Sequence, residues 1–308
     1  MPPLSRRKLL MGLAALPGVV GFACSGDDEP SVFEQIAGTE EPKTAPTATP
    51  TPEPPFVVAA GEDRRLMMEG TPYETPLHIF GTGLPGEIVM LLGGVHGNEP
   101  GGWLAAERIV DRIRPASGAL LVIPRANKVA TNLFERTTDA MGDLNRSYPG
   151  NANGKPMEVM ADQIIQTLRE FHVNVVIDMH ESWAFYNNRA QNGTAFLGQT
   201  VATYPAEPGM TLARTVVENV NTRIQAPVEE LFYRDRTFGG PNGTTVATPI
   251  NPATTPGGSS SSLGLPRWVP NLSAILVEMG QQQTLERRIA LHVDIATEAM
   301  RLLKIASA

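Results

Sequence analysis

The 308-residue chain carries 25 Lys+Arg against 32 Asp+Glu, a net charge of −7 at pH 7, with 42% hydrophobic residues. That apolar content excludes a mostly disordered chain, and the acidic balance excludes nucleic acid or an anionic lipid surface as a general partner. The one cysteine, Cys24, excludes an intramolecular disulfide and any cysteine-based metal site.

The N-terminus reads as an address. Arg6, Arg7 and Lys8 precede an apolar run, Leu9 to Ala23, broken by Pro17 and Gly18. A basic start, an apolar middle and a small residue before the break fit a secretory signal, and the paired arginines look like a twin-arginine type. Gly21-Phe22-Ala23-Cys24 resembles a bacterial lipobox, which makes Cys24 the expected lipidation site. Cleavage after Ala23 without lipid, or an uncleaved anchor, are the alternatives. The run is short for a membrane span, which takes about 20 apolar residues. Removing it with its three cations would take the charge from −7 to −10. Residues 1–24 are thus expected as signal, 25–55 as a Pro/Thr-rich disordered tether, and 56–308 as one catalytic domain. The expected location is exported, lipid-anchored on the outer face of the cytoplasmic membrane, or periplasmic or extracellular. The membrane is met only through this segment.

Within the domain, 88–92 (IVMLL), 119–123 (ALLVI), 174–179 (NVVIDM) and 274–278 (AILVE) read as strands; the first two are unbroken apolar runs, as buried strands are. Residues 103–113, 157–171, 209–224 and 284–304 read as helices. Alternating strands and helices predict an α/β fold, a mostly parallel, mixed sheet with helices on both faces. Ligands in such sheets bind at the carboxyl ends of strands, where His96, Glu99, His180 and Glu278 fall. Residues 237–266 lack periodicity and read as a lid, a binding loop or a mobile insertion.

Residues 93–102 (GGVHGNEPGG) place His96 and Glu99 among five glycines. Glycine is costly to order, so the backbone there must turn sharply or approach a ligand closely. A tight turn, rather than a helix, would aim both side chains at one point. Alone, the pair also fits surface polarity. His180 follows a strand at the same end of the sheet, with Asp178 two residues before it as a candidate brace for a ring nitrogen. Two histidines and a glutamate with one open position form a common catalytic zinc set; a hydrogen-bonded core histidine is the alternative for His180. In 143–150 (DLNRSYPG), Asn145 and Arg146 suit a carboxylate, or else form an ordinary turn.

H-x-x-E, D-L-N-R, D-x-H and a strand ending in Glu, in that order, resemble the zinc carboxypeptidase superfamily over most of 87–304. Val277-Glu278-Met279-Gly280 and the helix after it look most like its succinylglutamate desuccinylase/aspartoacylase branch. DLNRSYPG is similar also to bacterial peptidases that trim cell-wall peptides. The resemblance implies one Zn2+ held by His96, Glu99 and His180, with Asn145 and Arg146 gripping a substrate carboxylate. It further implies Arg136 polarising the scissile carbonyl and Glu278 as general base. Aspartoacylases carry a further C-terminal domain, whereas this sequence ends after one helix, so a more open site is expected. The substrate-facing tyrosine of the peptidases has no placed counterpart: Tyr233, before the long loop, reads first as a packed core tyrosine and only second as that residue.

The expected activity is hydrolysis of an amide bond by an N-acyl amino acid deacylase. An exported metallocarboxypeptidase acting on peptides, cell-wall peptides among them, is the first alternative. A tethered binding protein without catalysis is the second. The partner is a small molecule or peptide with a free carboxylate.

Overall fold

Long apolar runs cannot stay in water, and the chain buries four of them side by side. The computed structural model describes residues 55–186, 196–235 and 260–306. The signal, Cys24 and nearly all of the tether lie outside them, as does most of the 237–266 stretch. No helix among the described residues is long and apolar enough to cross a membrane.

The elements, in chain order, are β1 (Gly61–Met67), β2 (Thr75–Gly81), β3 (Ile88–Leu92), α1 (Pro100–Arg112), β4 (Ala119–Ile123), α2 (Lys128–Leu133), α3 (Pro156–Glu170), β5 (Val175–Ser182), β6 (Thr200–Thr203), α4 (Gly209–Asn221), β7 (Phe232–Asp235), β8 (Ser273–Gly280) and α5 (Leu285–Leu302). Short 3-10 turns cover Leu144–Arg146, Pro227–Glu229 and Ser262–Arg267. The eight strands form one sheet, ordered β1-β2-β4-β3-β5-β8-β6-β7. Pairs β3/β4, β3/β5, β5/β8 and β6/β7 are parallel, and β1/β2, β2/β4 and β6/β8 antiparallel. The sheet is therefore mixed with a parallel centre, the α/β fold expected.

Both faces are covered. Met90, Leu92 and Leu121 pack with Met157, Met160 and Ile164 of α3. On the other face Leu91, Leu120, Ile177 and Val277 meet Ala105 and Ile109 of α1 and Ile295 of α5. Every residue of β3 and β4 is buried, which is why they carry no polar alternation. Each fully buried Leu, Ile or Met contributes roughly 1.5–3 kcal/mol.

Several expected boundaries shift. β5 runs on through His180, Glu181 and Ser182, because parallel pairing with β8 continues to Ser182↔Gly280. Residues 262–266, expected as loop, lie in the 3-10 turn Ser262–Arg267, since Leu263 and Leu265 have core to bury into. α4 ends at Asn221 rather than 224. β1, β2, β6, β7 and α2 have no counterpart in the sequence reading. β1 (GEDRRLM) is exposed at six of seven positions and offers no apolar alternation.

Candidate active site

The site grows from the carboxyl ends of β3, β5 and β8. After β3 the chain turns through 93–99, and Glu99 forms the N-cap position of α1, with Pro100 starting the helix. The motif is thus a turn, as its glycines predict. Gly94 has φ +65°, favourable to glycine, and a Cβ there would lie 2.9 Å from Arg125 Cα. Gly97 is hemmed in by backbone: a Cβ would sit 1.9 Å from Ala130 O. The turn is pressed against α2 and its exit, and the glycines allow that contact.

β5 supplies the second half. Side chains alternate across a strand, so Asp178, His180 and Ser182 share one face. The register sets His180 directly across from Glu278 of β8, the one residue of that strand not fully buried.

These elements converge. His96 Nδ1 lies 2.7 Å from Glu99 Oε1, and His180 Nδ1 lies 2.8 Å from Glu99 Oε2. The two Nδ1 atoms are 3.1 Å apart. All three residues are buried, and each offers a ligand atom within 4.8 Å of the others'. The remote ring nitrogens face carboxylates: His96 Nε2 is 3.1 Å from Asp143 Oδ1, and His180 Nε2 is 2.9 Å from Asp178 Oδ2. A carboxylate only accepts, so each Nε2 carries a proton, and a ring that gives up its other proton turns an Nδ1 lone pair inward beside Glu99. Two lone pairs and a carboxylate facing one another fit a divalent cation.

Charge tells the same story. Burial lowers the His96 pKa, but Glu99 and Asp143 raise it above the ordinary 6.5 on balance. His180 is likewise pulled down by burial and carried well above 6.5 by Asp178 and Glu99. Burial raises Asp143, yet the hydrogen bond and charge of His96, with Arg136 and Arg146 nearby, hold it at about 2. Glu99 is raised by burial and lowered overall by the two rings. Burial raises Glu278, partly offset by His180 and by Ser182, whose Oγ donates to Glu278 Oε2 at 2.8 Å.

The remaining residues gather here. Arg136 Nη1 donates to Glu99 Oε1 at 3.1 Å, and its side chain is 47% exposed. Asn145 is buried in the Leu144–Arg146 turn, and Arg146 Nη1 donates to Asn145 O at 2.6 Å. Asn145 Oδ1 accepts from Ser262 N–H at 3.0 Å, which fixes the amide and turns its Nδ2 donors away from that bond. Tyr233 does not join them. Its ring packs on the α1/α4/α5 face, Arg214 stacks over it, and its hydroxyl lies 3.3 Å from Thr203 Oγ1. It is a core tyrosine because β7 pairs with β6 in the register that sets Tyr233 beside Val201. Asp143 and Ser182 were not assigned from the sequence. Asp143 opens the quoted DLNR motif, a signal that was available, whereas Ser182 needs the β5/β8 register.

This fold and site define an α/β chain with a buried His-Glu-His group, able to hold a metal ion, at the carboxyl ends of its central strands. Residues 85–187 match the family model of the succinylglutamate desuccinylase/aspartoacylase catalytic domain. The N-alpha-acetyl-L-2,4-diaminobutyric acid deacetylase of Halomonas elongata is 34% identical over 98 residues, 31% of this chain and 28% of the relative. Among solved structures, product-bound Cell Shape Determinant protein Csd4 of Helicobacter pylori aligns with a TM-score of 0.58 and 18% identity, over 71% of this chain and 51% of that one. The product-bound Ectoine utilization protein EutE (DoeB) of Ruegeria pomeroyi aligns at 0.57 and 16%, over 84% and 72%. The chain therefore matches under a third of that curated relative and about half of the Csd4 chain.

Proposed function

We propose that the chain is a zinc-dependent hydrolase that cleaves the amide bond of an N-acyl amino acid bearing a free carboxylate. The convergence of His96, Glu99 and His180 beside Glu278 carries this reading. The deacylase relatives support the substrate class.

His96, Glu99 and His180 would hold the ion. Bound there, zinc lowers the pKa of water to about 7 and polarises a carbonyl. Glu278, its pKa raised by burial, takes the proton of the attacking water and delivers it to the leaving nitrogen. Ser182 holds that carboxylate from one side. Arg136, half exposed at the mouth of the site, points donors at the carbonyl oxygen as charge builds. Loss of such a donor typically costs about 3–4 kcal/mol of barrier. Arg146 and the Asn145 amide fix the substrate carboxylate, an orientation that limits the freedom lost at the transition state. The products are a free acid and an amino acid.

The test pairs metal analysis with two substrate sets, N-acetyl and N-succinyl amino acids against peptides with free C-termini. Zinc near one per chain and release of amine from the acyl amino acids support the reading. Preference for peptides makes the protein a carboxypeptidase, the activity named for Csd4 as a D,L-carboxypeptidase. Glu278→Gln should lower turnover at least about 100-fold while zinc stays bound; unchanged turnover removes Glu278 from the chemistry. We further propose export by the 1–24 signal and lipid attachment at Cys24. A mature N-terminus without lipid at Cys24, read by mass spectrometry, would overturn the anchor.

A further inference from the structure

The face of β5 opposite the metal ligands carries a buried ion pair that the chemistry above does not use. Glu181 points away from the site, its side chain fully buried, and its Oε2 accepts from Arg288 Nη1 of α5 at 2.5 Å. Its other oxygen lies against the first turn of α1. A Cβ on Gly101 would fall 2.0 Å from Glu181 Oε1, so only glycine admits the carboxylate there. Burial raises the Glu181 pKa to about 7, and Arg288 and then the Gly101 amide offset part of that rise. Pro100 has no N–H, so Gly101 offers the first donor of that helix.

Three ties connect Glu181 and its neighbour Ser182 to the ligand-bearing segments, one of them through the carboxylate itself. The Glu181 backbone N–H donates to Glu99 Oε2 at 3.0 Å, gripping a metal-ligating carboxylate directly. Gln281 Nε2 donates to Asn98 O at 2.7 Å and reaches Glu181 Oε2 at 3.4 Å. Gln281 N–H donates to Ser182 O at 2.8 Å. The His96–Glu99 turn, the His180 strand and the residue after the Glu278 strand thus meet at Glu181, through its backbone N–H and through Gln281 beside its carboxylate. A metal set drawn from separate segments binds tightly only when those segments are held to within about 0.5 Å.

We propose that Glu181 is a positioning residue for the metal centre: its buried carboxylate, clamped by Arg288 and seated on the start of α1, fixes the distance from His180 to Glu99. This rests on the reading of His96, Glu99 and His180 as the zinc site. Glu181 touches neither metal nor substrate; it acts through the backbone that carries His180 and through Glu99. A conserved volume with the charge removed, Glu181→Gln, loosens the clamp without opening a cavity.

The experiment uses the full-length protein, stripped by chelator and titrated with zinc in competition with a fluorescent chelator. Melting of the metal-free protein is followed in parallel. Glu181→Gln and Arg288→Met each weaken zinc about 10–100-fold, the range for partners behind metal ligands. Arg288→Lys, which restores a cation, recovers part of the loss. Arg287→Met, which breaks the neighbouring pair from Arg287 to Glu229 at 2.8 Å, leaves zinc affinity unchanged. Folded Glu181→Gln and Arg288→Met with wild-type affinity would overturn the inference. So would equal zinc loss in Arg287→Met, which would mark a general effect of stability. If Glu181→Gln does not fold, Arg288→Met and Arg288→Lys decide alone. Wild-type protein that binds no zinc would instead overturn the metal centre itself, and this inference with it.

Discussion

Gly97→Ala tests whether the glycine-rich turn is shaped by contact rather than by flexibility. Gly97 lies between His96 and Asn98, and its φ is not in the left-handed region. An alanine methyl would sit 1.9 Å from Ala130 O, 2.1 Å from Ala130 C and 2.5 Å from Glu135 O. Real Cβ contacts essentially never fall under 3.0 Å, and all three obstacles are backbone. Turn and α2 must therefore part by about 1 Å, with a cost of about 1–3 kcal/mol as in overpacked cores. The same shift moves His96 and Glu99, and a misplacement of about 1 Å can cost 100-fold in rate. Melting temperature, zinc affinity by chelator competition and kcat/KM should fall together. Gly70→Ala is the control: its φ is +75° and nothing lies within 4 Å of a Cβ. It should cost about 1 kcal/mol of stability and leave zinc alone. A Gly97→Ala protein with wild-type melting, zinc affinity and turnover would refute the steric reasoning.

Asp143→Asn should weaken zinc about 10–100-fold, because the Nε2 partner that orients His96 changes character; chelator competition reads it, with apo melting as the folding check. Arg146→Lys should raise KM roughly tenfold for carboxylate substrates with little change in kcat, since a single ammonium cannot replace the guanidinium fork. Zinc affinity should fall as pH drops. His96 and His180 have pKa values raised above 6.5, so as pH falls through those raised values zinc must displace a proton from each ring. Competition titrations across pH 6 to 8 should show up to about two decades of affinity per pH unit. The stabilisation of the metal-free fold by these two cations is complete below 6.5 and lost as pH rises through the raised values. A flat affinity profile would remove the two rings from the metal set.

The central strands were legible because burial on both faces leaves them as uninterrupted apolar runs. The motifs were legible because spacing at strand ends is a sequence property. Asp178 could be named as a brace for His180 for the same reason: the two lie on one face of a strand, two residues apart. β1 could not be found, since an exposed, charged edge strand looks like loop and is fixed by its pairing with β2. β6 (TVAT) is only four residues long, and its burial comes from β8 and β7 on either side. The Ser262–Asn145 and Glu181–Arg288 contacts join residues more than a hundred positions apart, which no local pattern encodes. Tyr233 faces the core for a related reason, because only register decides which side of β7 it occupies.

β5 carries two kinds of content on its two sides, ligand and brace on one, anchoring ion pair on the other. Sliding the strand by a single position would exchange them, putting Glu181 and Met179 where His180 and Asp178 belong. Insertions and deletions can therefore accumulate in the connections around β5, but within Val175–Ser182 even one would invert the centre it builds.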